Sequence, residues 1–140
     1  MNIEELDFNE ASLFINEQLD AHTELVTATS VPPQKKFALK LVVDNEVRGA
    51  ASGTLTTQNF HVNGLVVIEK YRGFGYGSQL LVALEEQAIA AGGLVLTVST
   101  QCFQALDFYK SHGYEVFGKL KDVPFVGVTK YYLSKRVIKK

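Results

Sequence analysis

Glu69-Lys70-Tyr71-Arg72-Gly73-Phe74-Gly75-Tyr76-Gly77-Ser78-Gln79-Leu80-Leu81 is the stretch that decides how this chain folds. Just before it, Leu65-Val66-Val67-Ile68 is apolar on both faces, which predicts the end of a buried central strand. Just after it, Leu80, Leu81, Leu84, Ala88 and Ile89 recur at helical spacing, with Gln79, Glu85 and Glu86 read as facing water. A strand therefore runs into a tight glycine turn that opens directly into a helix. The first-turn amides of such a helix lack internal partners, and the helix dipole is positive at that end. Glycines let a phosphate approach the backbone with no Cβ in the way. The favoured chemistry is a pyrophosphate cradled by main-chain N–H groups. A Walker loop is excluded, because no Gly-Lys-Ser/Thr follows. A dinucleotide fingerprint is excluded too, because Ser78 or Leu80 stands where its third glycine belongs.

Working outward, Gly92-Gly93 ends the helix near Ala91 as a left-handed cap, and Leu94–Ser99 is another buried strand. Phe103–His112 is a short helix closed by Gly113, and Tyr114–Leu120 and Val128–Leu133 are the last strands, separated by a loop with Pro124 and Gly127. On the N-terminal side, His61–Ile68 follows a hairpin of Phe37–Val43 and Val47–Thr57, the latter weakened or bent at Gly49 and Gly53. The first helix is amphipathic through Phe8, Ala11, Ile15 and Leu19, with Asp7 and Glu10 at capping-box spacing. Val31-Pro32-Pro33 is irregular. The order predicts an α+β fold, a mixed sheet with helices on both faces, rather than a strict βαβα alternation.

The 140 residues fit one domain, 1–140, with enough surface to bury that no disulfide or metal is needed. Cys102 is the one cysteine, and His22, His61 and His112 show no ligand spacing, so no metal is expected. A net charge of −1 argues against nucleic acid as an obligatory partner, and Lys135, Arg136, Lys139 and Lys140 read as a solvated tail. No apolar stretch approaches the ~18 residues of a membrane span, and the acidic first twenty residues do not read as a signal peptide. A soluble cytoplasmic protein without a membrane partner is the expectation.

Arg72-Gly73-Phe74-Gly75-Tyr76-Gly77 also fits the pattern Arg/Gln-x-x-Gly-x-Gly/Ala, and here the chain resembles the GNAT superfamily of N-acetyltransferases. The resemblance runs from Leu65 to Gly118. It takes in the strand, the Tyr71-Arg72-Gly73 turn, the Gly92-Gly93 break and the Ala105-x-x-Phe108-Tyr109-x-x-x-Gly113-Tyr114 helix. It implies the acyl-CoA N-acyltransferase fold, with a central, mostly antiparallel twisted sheet. It implies acetyl-CoA as cosubstrate and direct transfer of the acetyl group to a primary amine in a ternary complex. Main-chain groups of Arg72, Gly73, Gly75, Gly77 and Ser78 would bind the pyrophosphate. The strand end around Val66 and Val67 would splay from its neighbour at a bulge, freeing backbone groups for the pantetheine arm and the thioester carbonyl, whose oxygen gathers charge during transfer.

The reaction needs a proton donor for the departing thiolate and a neutral amine. The resemblance puts Tyr109 at the donor position, against a packing role on the stripe of Ala105, Leu106 and Gly113. For the base, His61 has the titration range best suited to neutral pH, against a surface or core role, with Asn63 and Glu69 as neighbours on the same segment. Where many relatives carry an asparagine that touches the coenzyme, this chain has Cys102, and Gln101 or Gln104 would supply the contact. The acceptor wall would come from residues 22–36 and 122–132, and no acidic cluster selects a polycation, so a small-molecule or peptide amine is expected. A homodimer through the late strands is also implied. The rival reading is a non-catalytic acyl-CoA-binding module on the same fold.

Overall fold

The computed structural model describes residues 1–101 and 103–137. Cys102 and the terminal Lys139 and Lys140 lie outside the described residues. The chain divides into two units, Met1–Pro33 and Gln34–Lys140. The first carries helix α1 (Phe8–Thr27), whose N-cap Asp7 accepts hydrogen bonds from the amides of Asn9 and Glu10, and which ends on Ala28 in the left-handed region. Among the described residues no helix is long and apolar enough to cross a membrane.

The second unit holds β1 (Lys35–Val43), β2 (Glu46–Thr56), β3 (Asn59–Val67), α2 (Tyr76–Ala90), β4 (Val95–Thr100), α3 (Phe103–Ser111), β5 (Glu115–Lys121) and β6 (Thr129–Arg136). A single 3-10 turn, Glu69–Tyr71, links β3 to the glycine loop. The six strands lie in the order β1-β2-β3-β4-β6-β5. The β3–β4 pair is parallel and the other neighbours are antiparallel, as expected for the mixed α+β sheet. The core gathers Phe60 and Val62 of β3, Leu80, Leu81, Leu84 and Ala88 of α2, Leu96 and Val98 of β4, Leu106 of α3 and Leu133 of β6.

Two irregularities position the site. First, β3 and β4 pair only over Asn59–His61 with Val95–Thr97, although β3 runs on to Val67 and β4 to Thr100. Beyond His61 the strands part. Second, the β2–β3 register shifts: Gly53 pairs with Val62 and Ser52 with Gly64, leaving Asn63 as the extra residue of a bulge. The expected bulge around Val66 and Val67 therefore sits earlier in the strand. The register breaks beside Gly53, where a Cβ would lie 2.1 Å from the Phe60 ring, so only glycine fits beneath it.

Three further expectations are corrected. Glu85 does not face water: it is 5% exposed, accepts a hydrogen bond from the Tyr114 hydroxyl at 2.7 Å and pairs with Lys135 at 3.3 Å. Ile89, read as core, is half-exposed at the helix end. The Leu65–Ile68 run is not buried on both faces, since Val66 and Ile68 are exposed. Val66 and Ile68 alternate with Leu65 and Val67 and so point away from the cavity face.

Candidate active site

The glycine loop, the end of β3 and the inner face of α3 enclose one cavity of about 350 Å³. Leu65 and Val67 of β3 form one wall, and Gln104, Ala105, Phe108 and Tyr109 of α3 form the other. Tyr71, Arg72, Gly73, Gly75, Tyr76, Gly77 and Ser78 close the end. The bulge at Asn63 makes this possible. Ahead of it the even-numbered Phe60 and Val62 face the core; beyond it the odd-numbered Leu65 and Val67 take that face.

The N-terminus of α2 opens here. Its N-cap, Gly75, has φ +80° and offers no side-chain cap to the first-turn amides. Gly73 also has φ +90°, a conformation that costs an L side chain 1–2 kcal/mol, roughly. Ser78 Oγ lies 2.9 Å from His112 Nε2, a hydrogen bond whose donor depends on the imidazole tautomer, and this ties α2 to the end of α3. Arg72 Nε donates to the Val67 carbonyl at 3.0 Å, so one backbone group expected to be free at the strand end is already engaged.

Tyr109 is 6% exposed, with its ring edge-on to Phe108 and Tyr114. Burial pushes its phenol above the ordinary tyrosine range, so it stays protonated at neutral pH. Among the described residues its hydroxyl has no hydrogen-bond partner. The neighbouring Tyr114 is pushed up further, by burial first and then by its hydrogen bond to Glu85.

Of the residues singled out from the sequence, Val67, Arg72, Gly73, Gly75, Gly77, Ser78 and Tyr109 are brought together around this cavity. Val66 and His61 are not among its walls. Val66 is 56% exposed and alternates with Val67 to the other face of β3. His61 sits where β3 and β4 are still paired, with Nδ1 2.9 Å from Thr97 Oγ1. Burial, and then the charge of Lys130, hold its pKa below the usual 6.5, so it is mainly neutral at pH 7. Gln104 lines the cavity, whereas the other substitute for the absent asparagine, Gln101, does not. The wall residues Leu65, Tyr71 and Tyr76 were not singled out. Tyr71 and Tyr76 could have been, since they flank the glycines; for Leu65 the one sign is Gly53, whose bend does not say that the extra residue falls at Asn63 of the paired strand.

An uncapped helix start beside a parted strand pair, opening into a mainly apolar cavity that Tyr109 also lines, suits a ligand with an anionic end and an apolar arm. The family comparison is more specific. Residues 3–114 match the family model for the acetyltransferase (GNAT) family, and the chain belongs to that family. A blasticidin-S acetyltransferase from Streptomyces morookaense is 34% identical over 93 residues, 66% of this chain and 68% of that one. The crystal structure of an acetyltransferase from Bacillus cereus ATCC 14579 superposes with a TM-score of 0.84 at 29% identity, covering 98% of each chain. A GNAT family acetyltransferase from Elizabethkingia anophelis with acetyl-CoA bound shares the fold, with a TM-score of 0.65 at 17% identity over 71% of this chain and 75% of that one. The protein is an acetyltransferase of this family, with acetyl-CoA as its cosubstrate.

Proposed function

We propose that this enzyme transfers the acetyl group directly to the primary amine of a small molecule, with the coenzyme seated in the cavity between β3 and α3. The observation that carries this reading is the uncapped start of α2 opening into a mainly apolar cavity that has the buried Tyr109 on its far wall. The pyrophosphate lies on the main chain of Arg72, Gly73, Gly75, Gly77 and Ser78, where helix dipole and free amides favour an anion. The pantetheine arm follows Leu65 and Val67 into the gap beyond His61 and Thr97, with the main chain of Val66 and Val67 beside it.

The amine nitrogen attacks the thioester carbonyl carbon, the carbonyl oxygen takes up charge, and the C–S bond then breaks. Tyr109, protonated because burial opposes its ionisation, hands its proton to the leaving sulfur. His61, neutral at pH 7, is the candidate acceptor of the amine proton from the opposite face of the sheet. A small-molecule acceptor is favoured because the curated relative is named for blasticidin-S rather than for a protein. We further propose a homodimer through the β5 edge, where Val116, Phe117 and Leu120 are exposed on the last strand of the sheet.

Calorimetric titration with acetyl-CoA, with ATP and NAD as controls, tests the coenzyme site. Selective micromolar binding is expected, and absence of binding would end the reading. An amine panel of blasticidin-S, aminoglycosides, polyamines and short peptides, scored for acetylated product by mass spectrometry, tests the acceptor. Turnover confined to peptides would overturn the small-molecule assignment.

A further inference from the structure

We propose that Arg48, on β2 and outside the cavity wall, is a positioning residue for the coenzyme: it staples the two ends of the glycine loop and pre-forms the pyrophosphate cradle. The inference rests on the reading that this loop takes the pyrophosphate. Tyr71 ends the 3-10 turn before the loop, and Tyr76 begins α2 after it. One guanidinium reaches both. Arg48 Cζ lies 4.2 Å from the centroid of the Tyr71 ring and 5.8 Å from that of Tyr76, and Nη1 donates to the Tyr76 hydroxyl at 3.0 Å. The same strand adds two further ties: the Tyr71 hydroxyl donates to Glu46, and the Ile68 amide donates to the Arg48 carbonyl at 2.9 Å.

The loop needs such a staple. A Cβ built on Gly73 or on Gly75 meets nothing within 4 Å, so no packing holds those residues, and glycine has more backbone states to lose than any other residue. Arg72 is held by Val67 and Phe74 stacks on Tyr76, so the shape of the glycine turn is imposed through its two ends, and Tyr71 and Tyr76 are where Arg48 grips those ends. Arg48 is committed to that task. Its side chain is 18% exposed, its carboxylate neighbour Asp44 lies 3.7 Å away and is itself 90% exposed, and its Nε is buried without a partner among the described residues. An exposed ion pair of that kind contributes little, so the aromatic faces and the Tyr76 hydroxyl are what hold the guanidinium. Lysine cannot replace it, because a point charge cannot lie over one ring while donating to the other tyrosine.

Calorimetry with acetyl-CoA and steady-state kinetics with acetyl-CoA and S-acetyl-pantetheine, which lacks the pyrophosphate, test this. Arg48→Lys is expected to raise the Kd and KM for acetyl-CoA roughly tenfold through lost preorganisation, with kcat and the kcat/KM for S-acetyl-pantetheine unmoved. Tyr76→Phe should weaken acetyl-CoA in the same way, and the double variant should bind no worse than Arg48→Lys, because both remove one connection. Additive losses, equal weakening of S-acetyl-pantetheine, or an unchanged Kd would overturn the proposal. If Arg48→Lys does not fold, Arg48→Gln takes its place: it keeps a donor for the Tyr76 hydroxyl but puts no charge over the Tyr71 ring, and the same rise in Kd for acetyl-CoA alone is expected. Gly77→Glu separates the two levels. If it abolishes acetyl-CoA binding while Arg48→Lys and Tyr76→Phe are silent, only Arg48's role falls. If Gly77→Glu binds normally, the loop reading falls and takes this inference with it.

Discussion

At the scale of single residues, Tyr109 and His61 have opposite electrostatic situations for the same underlying reason. Burial disfavours the charged form of each, which raises the phenol and lowers the imidazole. The phenol therefore arrives at neutral pH as an acid and the imidazole as a base. Tyr109→Phe removes the proton and keeps the ring, so kcat should fall by about 10²-fold while the acetyl-CoA Kd from calorimetry stays put. An unaltered kcat would return Tyr109 to packing alone. For His61 the sign follows from the lowered pKa: the active neutral form dominates above 6.5 and is lost as pH falls through the folded value. The wild-type pH–rate profile should carry an acid limb below pH 6.5 that His61→Gln lacks. Superimposable profile shapes would leave His61 with its Thr97 hydrogen bond and no catalytic part. Tyr109 was named because the resemblance puts a proton donor at its position, whereas its stripe with Ala105 and Leu106 by itself reads as packing; the fold sets it on the cavity wall. His61 was named for its titration range and its place on the strand before the loop, and neither says which side of a sheet a side chain reaches.

At the scale of elements, α2 shows how a pattern can be present and be misread. Leu81, Leu84, Glu85 and Ala88 follow i, i+3, i+4, i+7, so the helical period itself places Glu85 on the buried stripe. Charge suggested solvent, yet Tyr114 and Lys135 bring hydrogen bonds and a counter-charge from α3's far end and from β6. Glu85→Ala leaves the Tyr114 hydroxyl unpaired beside a cavity and should lower unfolding stability by about 2–3 kcal/mol in urea denaturation. A loss within a few tenths of a kcal/mol would mean that water replaces the carboxylate. The N-terminus of the same helix supplies the ligand side. Gly77 has an ordinary φ, and a Cβ there would sit 3.5 Å from Phe108 and 3.8 Å from Leu65, pointing into the cavity without backbone strain. Gly77→Glu should thus fold normally and lose acetyl-CoA binding by at least about a hundredfold, since a carboxylate would occupy the place of the phosphates. Retained affinity in the folded variant would place the coenzyme elsewhere.

At the scale of the whole molecule, the sheet ends on β5, which among the described residues pairs only with β6 and leaves its other edge open. An open edge with Phe117 65% exposed and Leu120 51% exposed is a surface that proteins ordinarily cover or charge. Light scattering after size exclusion should report a dimer, and Phe117→Lys should shift it toward monomer without loss of the fold. A wild-type monomer at tens of micromolar would remove the dimer proposal.

What the sequence by itself determined is the run of elements and the glycine turn that opens α2. Hydrophobic period and glycine placement are local properties, and a strand, a helix start or a left-handed turn needs few distant partners to form. The β1–β2 hairpin, α2, β4, α3 and the left-handed glycine turn before α2 were all legible for that reason. Tertiary structure decided where β3 parts from β4, the bulge at Asn63 that turns Leu65 and Val67 inward, the partners that Glu85 meets in the core and the clasp of Arg48 on Tyr71 and Tyr76. Each depends on groups brought together from far apart in the chain: Arg48 lies 28 residues from Tyr76, and Glu85 lies 29 from Tyr114 and 50 from Lys135. No local period encodes such a meeting; it exists only once the sheet has set one strand beside another.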